Sequence, residues 1–308
     1  MSNDGILIIG GTGFMGSAIA RGLQNDAVCR QQPIHILARH ADPASPANVQ
    51  VHRGSMDNSD LLRTLLPFCS TIIHAASSTT PGVSARQPML EANQNILPTL
   101  RLIELLNECG PKQLLFFSSG GTFYGNPDSS PVSENAPFSP RSYYGAGKIA
   151  IEAFLQVCQV QTDSKISILR PSNVYGCGQP FRPGFGVIRT MLEHVLRDTA
   201  IDIWGDGETI RDFLYIDDLV NACLAIIKQG NISGSYNIGY GVGHSLNEVI
   251  RSIEAVCGRK LKVNYQPARQ VDVARIVLNN DKLARQLNWQ PQVSLDQGIA
   301  LTWQSLQG

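Results

Sequence analysis

The chain opens on a wholly apolar run, Ile6–Ile9, and its first half alternates such runs with longer amphipathic stretches. Ile34–Leu37, Thr71–His74, Gln113–Ser118 and Ile166–Leu169 read as further strands. Between them, Gly16–Leu23, Asp57–Leu66, Leu90–Glu108 and Tyr144–Val160 read as helices. Strands that are apolar throughout and separated by helices predict a parallel sheet covered on both faces.

The expected class is therefore α/β, a doubly wound parallel sheet of the Rossmann-like kind. After Arg170 the alternation breaks: Gly and Pro crowd 176–186, and short elements follow. This predicts a dinucleotide-binding domain over 1–170 and a smaller α/β substrate lobe over 171–308. A helix near Asp218–Lys228, within 216–229, is expected to pack back on the first domain.

Composition narrows the function classes. Hydrophobic residues make up 43% and charged residues 16% of 308, as in an ordinary globular enzyme. Lys+Arg and Asp+Glu both count 25, so the formal net charge is zero. That argues against a nucleic-acid or membrane-surface partner, which needs a clustered basic excess. A small anionic ligand held by a few arginines stays compatible. The seven cysteines are scattered and odd in number, so neither a disulfide framework nor a structural zinc site is expected, and no metal is assigned. No basic leader precedes Ile6, and no stretch approaches the ~20 apolar residues of a membrane span, which makes the cytoplasm the expected location.

Directly after the first strand comes Gly10-Gly11-Thr12-Gly13-Phe14-Met15-Gly16. Glycine is needed where the backbone turns with positive φ, approaches a pyrophosphate, or lets helix pack on strand. The helix that follows presents unpaired N–H groups and a positive dipole end to the phosphates. An isolated match could be a plain glycine-rich turn, but its place between strand and helix assigns it to dinucleotide binding. The second strand ends Leu37-Ala38-Arg39-His40, with no carboxylate for the adenosine ribose. Arg39 could meet a 2′-phosphate, stack on adenine or face solvent, so NAD is the expected cofactor and NADP stays open.

The run Tyr144-Gly145-Ala146-Gly147-Lys148 contains Tyr-x-x-x-Lys. Residues i and i+4 share a helix face, so Lys148 can sit near the Tyr144 phenol and lower its pKa towards neutrality. A phenolate is a suitable base for a sugar hydroxyl. Upstream, Phe116-Phe117-Ser118-Ser119 would place serine hydroxyls at the carboxyl edge of the sheet, where doubly wound folds bind ligands.

Together with Arg170-Pro171-Ser172-Asn173-Val174-Tyr175-Gly176, these motifs resemble the extended short-chain dehydrogenase/reductases of the NAD-dependent epimerase/dehydratase family. Ile73-His74-Ala75-Ala76 is similar to the family's segment under the cofactor, and Asn95 matches in the long helix. Gly205-Asp206-Gly207 and Arg211-Asp212-Phe213 resemble the nucleotide-sugar segment. The resemblance implies that Tyr144 is the catalytic base, Lys148 holds the nicotinamide ribose and Ser119 bridges the sugar O4 to Tyr144. Gly10, Gly13, Phe14, Met15, Gly16, Arg39, Ala75, Ala76 and Asn95 would complete the cofactor site. Asn173, Arg211 and Arg269 would hold the nucleotide diphosphate, with Asp272 on the uridine ribose side and Trp204 also in the substrate site. Arginine suits a diphosphate through its bidentate fork, although Arg211 and Arg269 could also be surface ion pairs.

One departure concerns the hydroxyl. Aligning on Tyr124-Gly125 puts Gly120 at its position, whereas counting back from Tyr144 selects Ser119, with Thr122 in reserve. Dehydratases of the family carry an Asp-Glu pair here, which Gly120-Gly121 does not supply. The remaining set implies a UDP-sugar 4-epimerase acting by transient oxidation at C4. A nucleotide-sugar 4-keto reductase and a non-enzymatic NADP-binding regulator are the rival readings. The position bordering the sugar's C2 substituent falls at Ile276, smaller than tyrosine, which implies acceptance of UDP-N-acetylglucosamine and UDP-N-acetylgalactosamine. A homodimer is expected through Leu90–Glu108 and Tyr144–Val160, with Leu97, Leu100, Ile149 and Phe154 as candidate contacts.

Overall fold

The computed structural model describes residues 4–39, 48–127, 129–182, 184–268 and 273–308. In chain order the first elements are β1 (Gly5–Ile9), α1 (Phe14–Asn25), β2 (Ile34–Ala38), β3 (Val49–Arg53), α2 (Ser59–Leu65) and β4 (Cys69–His74). Next come α3 (Pro88–Glu91), a π-helical turn Ala92–Ile96, α4 (Leu97–Cys109), β5 (Gln113–Phe117), α5 (Tyr143–Thr162) and β6 (Lys165–Pro171). There follow β7 (Asn173–Tyr175), α6 (Val187–Arg197), β8 (Ile201–Trp204), β9 (Ile210–Tyr215), α7 (Ile216–Gln229) and β10 (Gly234–Ile238). The chain closes with β11 (Gly243–Ser245), α8 (Leu246–Cys257), β12 (Val263–Gln266), β13 (Arg275–Ile276), α9 (Asp281–Leu287) and α10 (Leu295–Gln307).

Two compact units result. The first comprises 1–119, 142–170 and 220–236; the second comprises 120–141, 171–219 and 237–308. The main sheet has seven strands in the order β10-β6-β5-β4-β1-β2-β3. Neighbours from β1 to β6 run parallel, as in β1 Ile8 opposite Ile36 of β2 and Ile73 of β4. Strand order reverses direction between β1 and β4, the switch point where doubly wound sheets open a crevice for ligands. Strands β1, β2 and β5 are buried along their whole length, as their unbroken apolar runs require. Leu7, Ile9 and Phe116 of the sheet pack on Leu62 of α2, Leu102 and Leu106 of α4, and Ile151 and Leu155 of α5.

Three elements differ from the expectation. Strand β3, Val-Gln-Val-His-Arg, was not anticipated: as an edge strand with one partner it carries polar side chains and lacks the apolar run. The long helix expected over Leu90–Glu108 starts at Pro88 and is interrupted by the π-helical turn at 92–96. Leu100 packs on the first unit's own core, so it is withdrawn from the candidate contacts between copies.

In the second unit β9 is central. It pairs with β7, β11 and β13, while β8 and β12 form a separate ladder. Helices α8 and α10 each start with a capping box, Ser245 with Glu248 and Ser294 with Gln297, which satisfies N–H groups that a helix start leaves open. No helix among the described residues is long and apolar enough to cross a membrane.

Candidate active site

In the first unit the glycine loop leaves β1 and enters α1. Gly10 has φ +85° and donates its N–H to Leu37 O at 3.0 Å, while Gly13 donates to Gly10 O at 3.0 Å. A Cβ at Gly10 would lie 2.8 Å from the Ala76 backbone, and one at Gly16 only 2.3 Å from Gly10 O. These two glycines are therefore required by the packing of the loop itself. Gly13 is the N-cap of α1, and that helix start has neither a side-chain cap nor an acidic residue in its first turn. The open N–H groups around Phe14, Met15 and Gly16 form a fit receptor for a pyrophosphate. Ala75 follows β4 and donates to Ile9 O at 3.0 Å, which brings Ala75-Ala76 against the same loop. Arg39 is exposed at the end of β2.

Tyr144 and Lys148 lie one turn apart on α5, whose buried stripe continues through Ile151, Glu152 and Leu155. Ser142 caps this helix by accepting the Gly145 N–H. Lys148 is buried and donates from Nζ to Phe117 O at 2.7 Å, at the end of β5. Its Nζ also lies 5.6 Å from the Tyr144 ring centroid and 4.8 Å from that of Phe116. Burial draws the Lys148 ammonium down to about 8, while the Glu91 and Glu152 carboxylates pull it back up.

The phenol departs from expectation. Burial pushes Tyr144 up to about 12; the Glu91 carboxylate adds to that rise, and a hydrogen bond with Ser77 opposes it. Lys148 satisfies itself on the Phe117 carbonyl, so the i,i+4 spacing places it on the correct face without bringing the phenol towards neutrality. A phenol at about 12 is a proton donor at neutral pH, the form that the returning half of an oxidation–reduction cycle uses; the outgoing half draws on the phenolate.

The hydroxyls at the end of β5 are not equivalent. Ser118 is buried and donates to the Glu152 carboxylate, which also receives Arg170 Nη2 at 2.6 Å. Ser118 thus belongs to a closed network, and Ser119 and Thr122, both half-buried, stay as candidates. A Cβ at Gly121 would meet nothing within 4 Å.

Around Asn95 the structure adds residues that sequence reasoning missed. Asn95 Oδ1 accepts from Ser78 N at 3.0 Å, and its Nδ2 donates to Thr79 Oγ1 at 2.7 Å and to Glu91 at 3.0 Å. Thr79 Oγ1 itself donates to Glu91. A signal for Glu91 was present: it precedes Asn95 by four residues, and so shares its helix face. The hydroxyl run Ser77-Ser78-Thr79-Thr80 behind Ala75-Ala76 was a second one.

In the second unit, Asn173 Nδ2 donates to the backbone oxygen of Asp212 at 2.9 Å, and Arg211 adjoins it on β9. The Asp212 carboxylate is buried and accepts N–H groups from Tyr240, Gly241 and Leu278 at 2.8, 3.1 and 3.1 Å. Desolvation raises its pKa, and those three bonds act against the rise. Asp212 thereby pins three segments of the unit around the strand that carries Arg211. Trp204 ends β8 with 43% of its surface exposed. Ile276 pairs with Arg211 across β13 and β9 but is only 2% exposed, so this unit holds it as a core residue and not as an open wall. Arg269 and Asp272 lie outside the described residues.

The model of the NAD dependent epimerase/dehydratase family matches residues 6–239. The chain belongs to that family. A UDP-glucose 4-epimerase of Mycolicibacterium smegmatis is 31% identical over 310 residues, covering 96% of both chains. A dTDP-4-dehydro-6-deoxyglucose reductase of Escherichia coli is 30% identical, covering 96% of this chain and 95% of its own. Among solved structures, the UDP-glucose 4-epimerase of Thermotoga maritima with UDP-glucose superposes with a TM-score of 0.90 at 29% identity and 98% coverage of each chain. The Thermus thermophilus UDP-glucose 4-epimerase in complex with NAD gives 0.89 at 30% identity, covering 98% and 99%. The fold is the Rossmann-like one read from the strand pattern, and the protein is a NAD-dependent enzyme by family.

Proposed function

We propose that this chain is a nucleotide-sugar 4-epimerase, interconverting UDP-N-acetylglucosamine with UDP-N-acetylgalactosamine and UDP-glucose with UDP-galactose. The observation that carries the reading is the make-up of the β5 end. Ser119, Gly120, Gly121 and Thr122 offer hydroxyls and open space but no carboxylate. Elimination of water needs a further acid and base there; C4 oxidation needs only a hydroxyl and the tyrosine.

Bound NAD supplies the hydride acceptor and, on return, the donor. Gly10, Gly13, Phe14, Met15 and Gly16 hold its pyrophosphate at the α1 start, with Ala75, Ala76, Asn95 and Arg39 along the dinucleotide. Tyr144 takes the O4 proton as hydride leaves C4 and returns it when the ketone is reduced. Lys148 orients the nicotinamide ribose, and Ser119 bridges O4 to the phenol, with Thr122 as second choice. Asn173, Trp204, Arg211, Arg269 and Asp272 grip the UDP part, so that the 4-keto sugar can turn about its phosphate linkage and present its other face. The first unit is thus the dinucleotide half and the second the nucleotide-sugar half.

The acetylated pair rests on the sequence count that puts isoleucine, and no tyrosine, at 276; that side chain is buried in the second unit, so its support is the missing phenol and not an observed wall. Each of the four UDP-sugars, incubated with the protein and followed by proton NMR, tests the reading. Epimer from both the acetylated and the plain sugars is the expected result. Conversion of the plain pair alone would restrict the assignment, and conversion of none would reject it.

The E. coli reductase relative keeps one alternative in view, a 4-keto-sugar reductase that releases its oxidised cofactor. Arg39 at the β2 end, without a neighbouring acid in the described strand, favours that alternative by suiting a 2′-phosphate.

A further inference from the structure

Glu91 is a buried carboxylate, 2% exposed, that the proposed chemistry does not use. It ends α3 immediately before the π-helical turn. Its oxygens receive Thr79 Oγ1 and, at 3.0 Å, Asn95 Nδ2. Two neutral donors soften the burial of a charge but do not balance it, and an uncompensated buried ion costs several kcal/mol.

Gly147 shows what the carboxylate packs against. A Cβ there would lie 2.6 Å from Glu91 Oε1, so the glycine before Lys148 is what admits Glu91 to this face of α5. The other charged groups near Lys148 are already accounted for. Glu152 is held by Arg170 at 2.6 Å. His74 is kept neutral down to about 3 by burial first and by the Lys148 charge second. Tyr144 is an un-ionised phenol at neutral pH.

We propose that Glu91 is a positioning residue whose carboxylate is the buried counter-charge that keeps Lys148 an ammonium. Its second task is geometric: Glu91 orders Thr79, whose backbone oxygen receives Ser77 Oγ at 3.2 Å, and Ser77 in turn bonds the Tyr144 phenol. Burial lowers Lys148, Glu91 is the larger of the two charges opposing the fall, and the balance stands at about 8. Without Glu91, Lys148 would hold its proton less firmly, and the ammonium that bonds the Phe117 carbonyl would be the weaker for it. The consequence for turnover rests on Tyr144 and Lys148 being the reacting pair; the charge relationship does not.

The test reads the lysine itself. Protein carrying 13C-ε-lysine is titrated by NMR between pH 6 and 10, with the Lys148 resonance assigned by its loss in Lys148→Met. The expected wild-type midpoint is near 8. Glu91→Gln should lower it by about 1–2 units, the usual effect of losing a close opposite charge. Glu91→Asp, which keeps the charge, should stay within about half a unit of wild type. If Glu91→Gln does not fold, Glu91→Gln with Thr79→Ala clears the hydroxyl facing the new amide and should show the same fall. A Gln variant that titrates like wild type, or Gln and Asp variants that shift equally, would overturn the proposal. Because neither substrate nor turnover enters the measurement, its failure is distinct from failure of the epimerase reading.

Discussion

Lys148 donates to the Phe117 carbonyl at 2.7 Å, and this bond ties the helix that carries Tyr144 to the end of β5. Ser118 and Ser119 follow Phe117 directly, so one ammonium fixes both the base and the neighbouring hydroxyls to the same strand end. The arrangement makes Lys148 sensitive to substitution even by another cation. An arginine would need room for a planar guanidinium where the ammonium is fully enclosed.

Tyr144→Phe removes the phenol and keeps the ring. Steady-state turnover should fall by at least ~10²-fold, the usual size of a lost general acid–base group, with little change in melting temperature. Lys148→Arg should be nearly as damaging as Lys148→Met. Recovery of more than about a tenth of activity by arginine would show that charge alone suffices.

The two candidate hydroxyls separate by kinetics. Ser119→Ala should lower kcat about tenfold or more, as loss of a hydrogen bond to the reacting oxygen does, and Thr122→Ala less. Ser118→Ala should instead lower stability, since it takes a donor from the buried Glu152 carboxylate. Parallel kcat and melting measurements on the three variants would show a reversed order at once, and that order would transfer the role to Thr122.

Gly13→Ala isolates the cofactor. Gly13 has φ −77°, which alanine adopts, and its new Cβ would sit 3.2 Å from Gly10 O with no closer neighbour. The variant should melt within about 4 °C of wild type. Its bound dinucleotide, released by denaturation and quantified, should fall at least ~10-fold, because the methyl group occupies the approach to the helix start. Undiminished NAD content would move the phosphate site elsewhere.

His74 gives the protein an acid-side instability. Its ring is buried, with Nε2 on Thr99 Oγ1 at 3.0 Å and Nδ1 without a partner among the described residues. Burial lowers its pKa from 6.5 to about 3, so between those values the unfolded chain binds more protons than the folded one. Stability therefore falls as pH drops through that window, by about 2 kcal/mol for this group between pH 7 and 5. Urea unfolding at both pH values should show that loss in wild type and not in His74→Gln; equal losses in both would assign the effect elsewhere.

Leu97 and Phe154 are 45% and 48% exposed on the α4 and α5 helices, with Val157 at 55%. Singly exposed apolar residues are common, but on two packed helices they suit a second copy of the chain. Sedimentation should give a dimer at micromolar concentration, and Phe154→Glu should give a folded monomer. A wild-type monomer would reject the assignment.

Much of the first unit was legible because its strands are buried on both faces and its helices are long: β1, β2, β4, β5 and β6 each lie within a residue or two of the apolar run that announced them. Strand β3 was not, because an edge strand with Gln50 and Arg53 has no such run. The glycine loop and Tyr144-x-x-x-Lys148 were legible as spacing. Glu91, Ser77 and Thr79 left only the i,i+4 spacing to Asn95 and a hydroxyl run as signals, since a buried carboxylate looks like any surface acid until its partners are known. The phenol's proton affinity was likewise hidden, because it depends on burial and on Glu91 more than on the i,i+4 neighbour.

The most direct test of the C4 oxidation cycle uses UDP-N-acetylglucosamine carrying deuterium at C4, incubated with the purified protein and no added cofactor. The C4 epimer should form with deuterium retained at C4 and no reduced dinucleotide in solution, because the hydride leaves and returns within one bound complex. Epimer formed with loss of deuterium to solvent would contradict that cycle. So would the absence of epimer together with stoichiometric oxidation of added NADPH by a 4-keto sugar nucleotide, the outcome a releasing reductase gives.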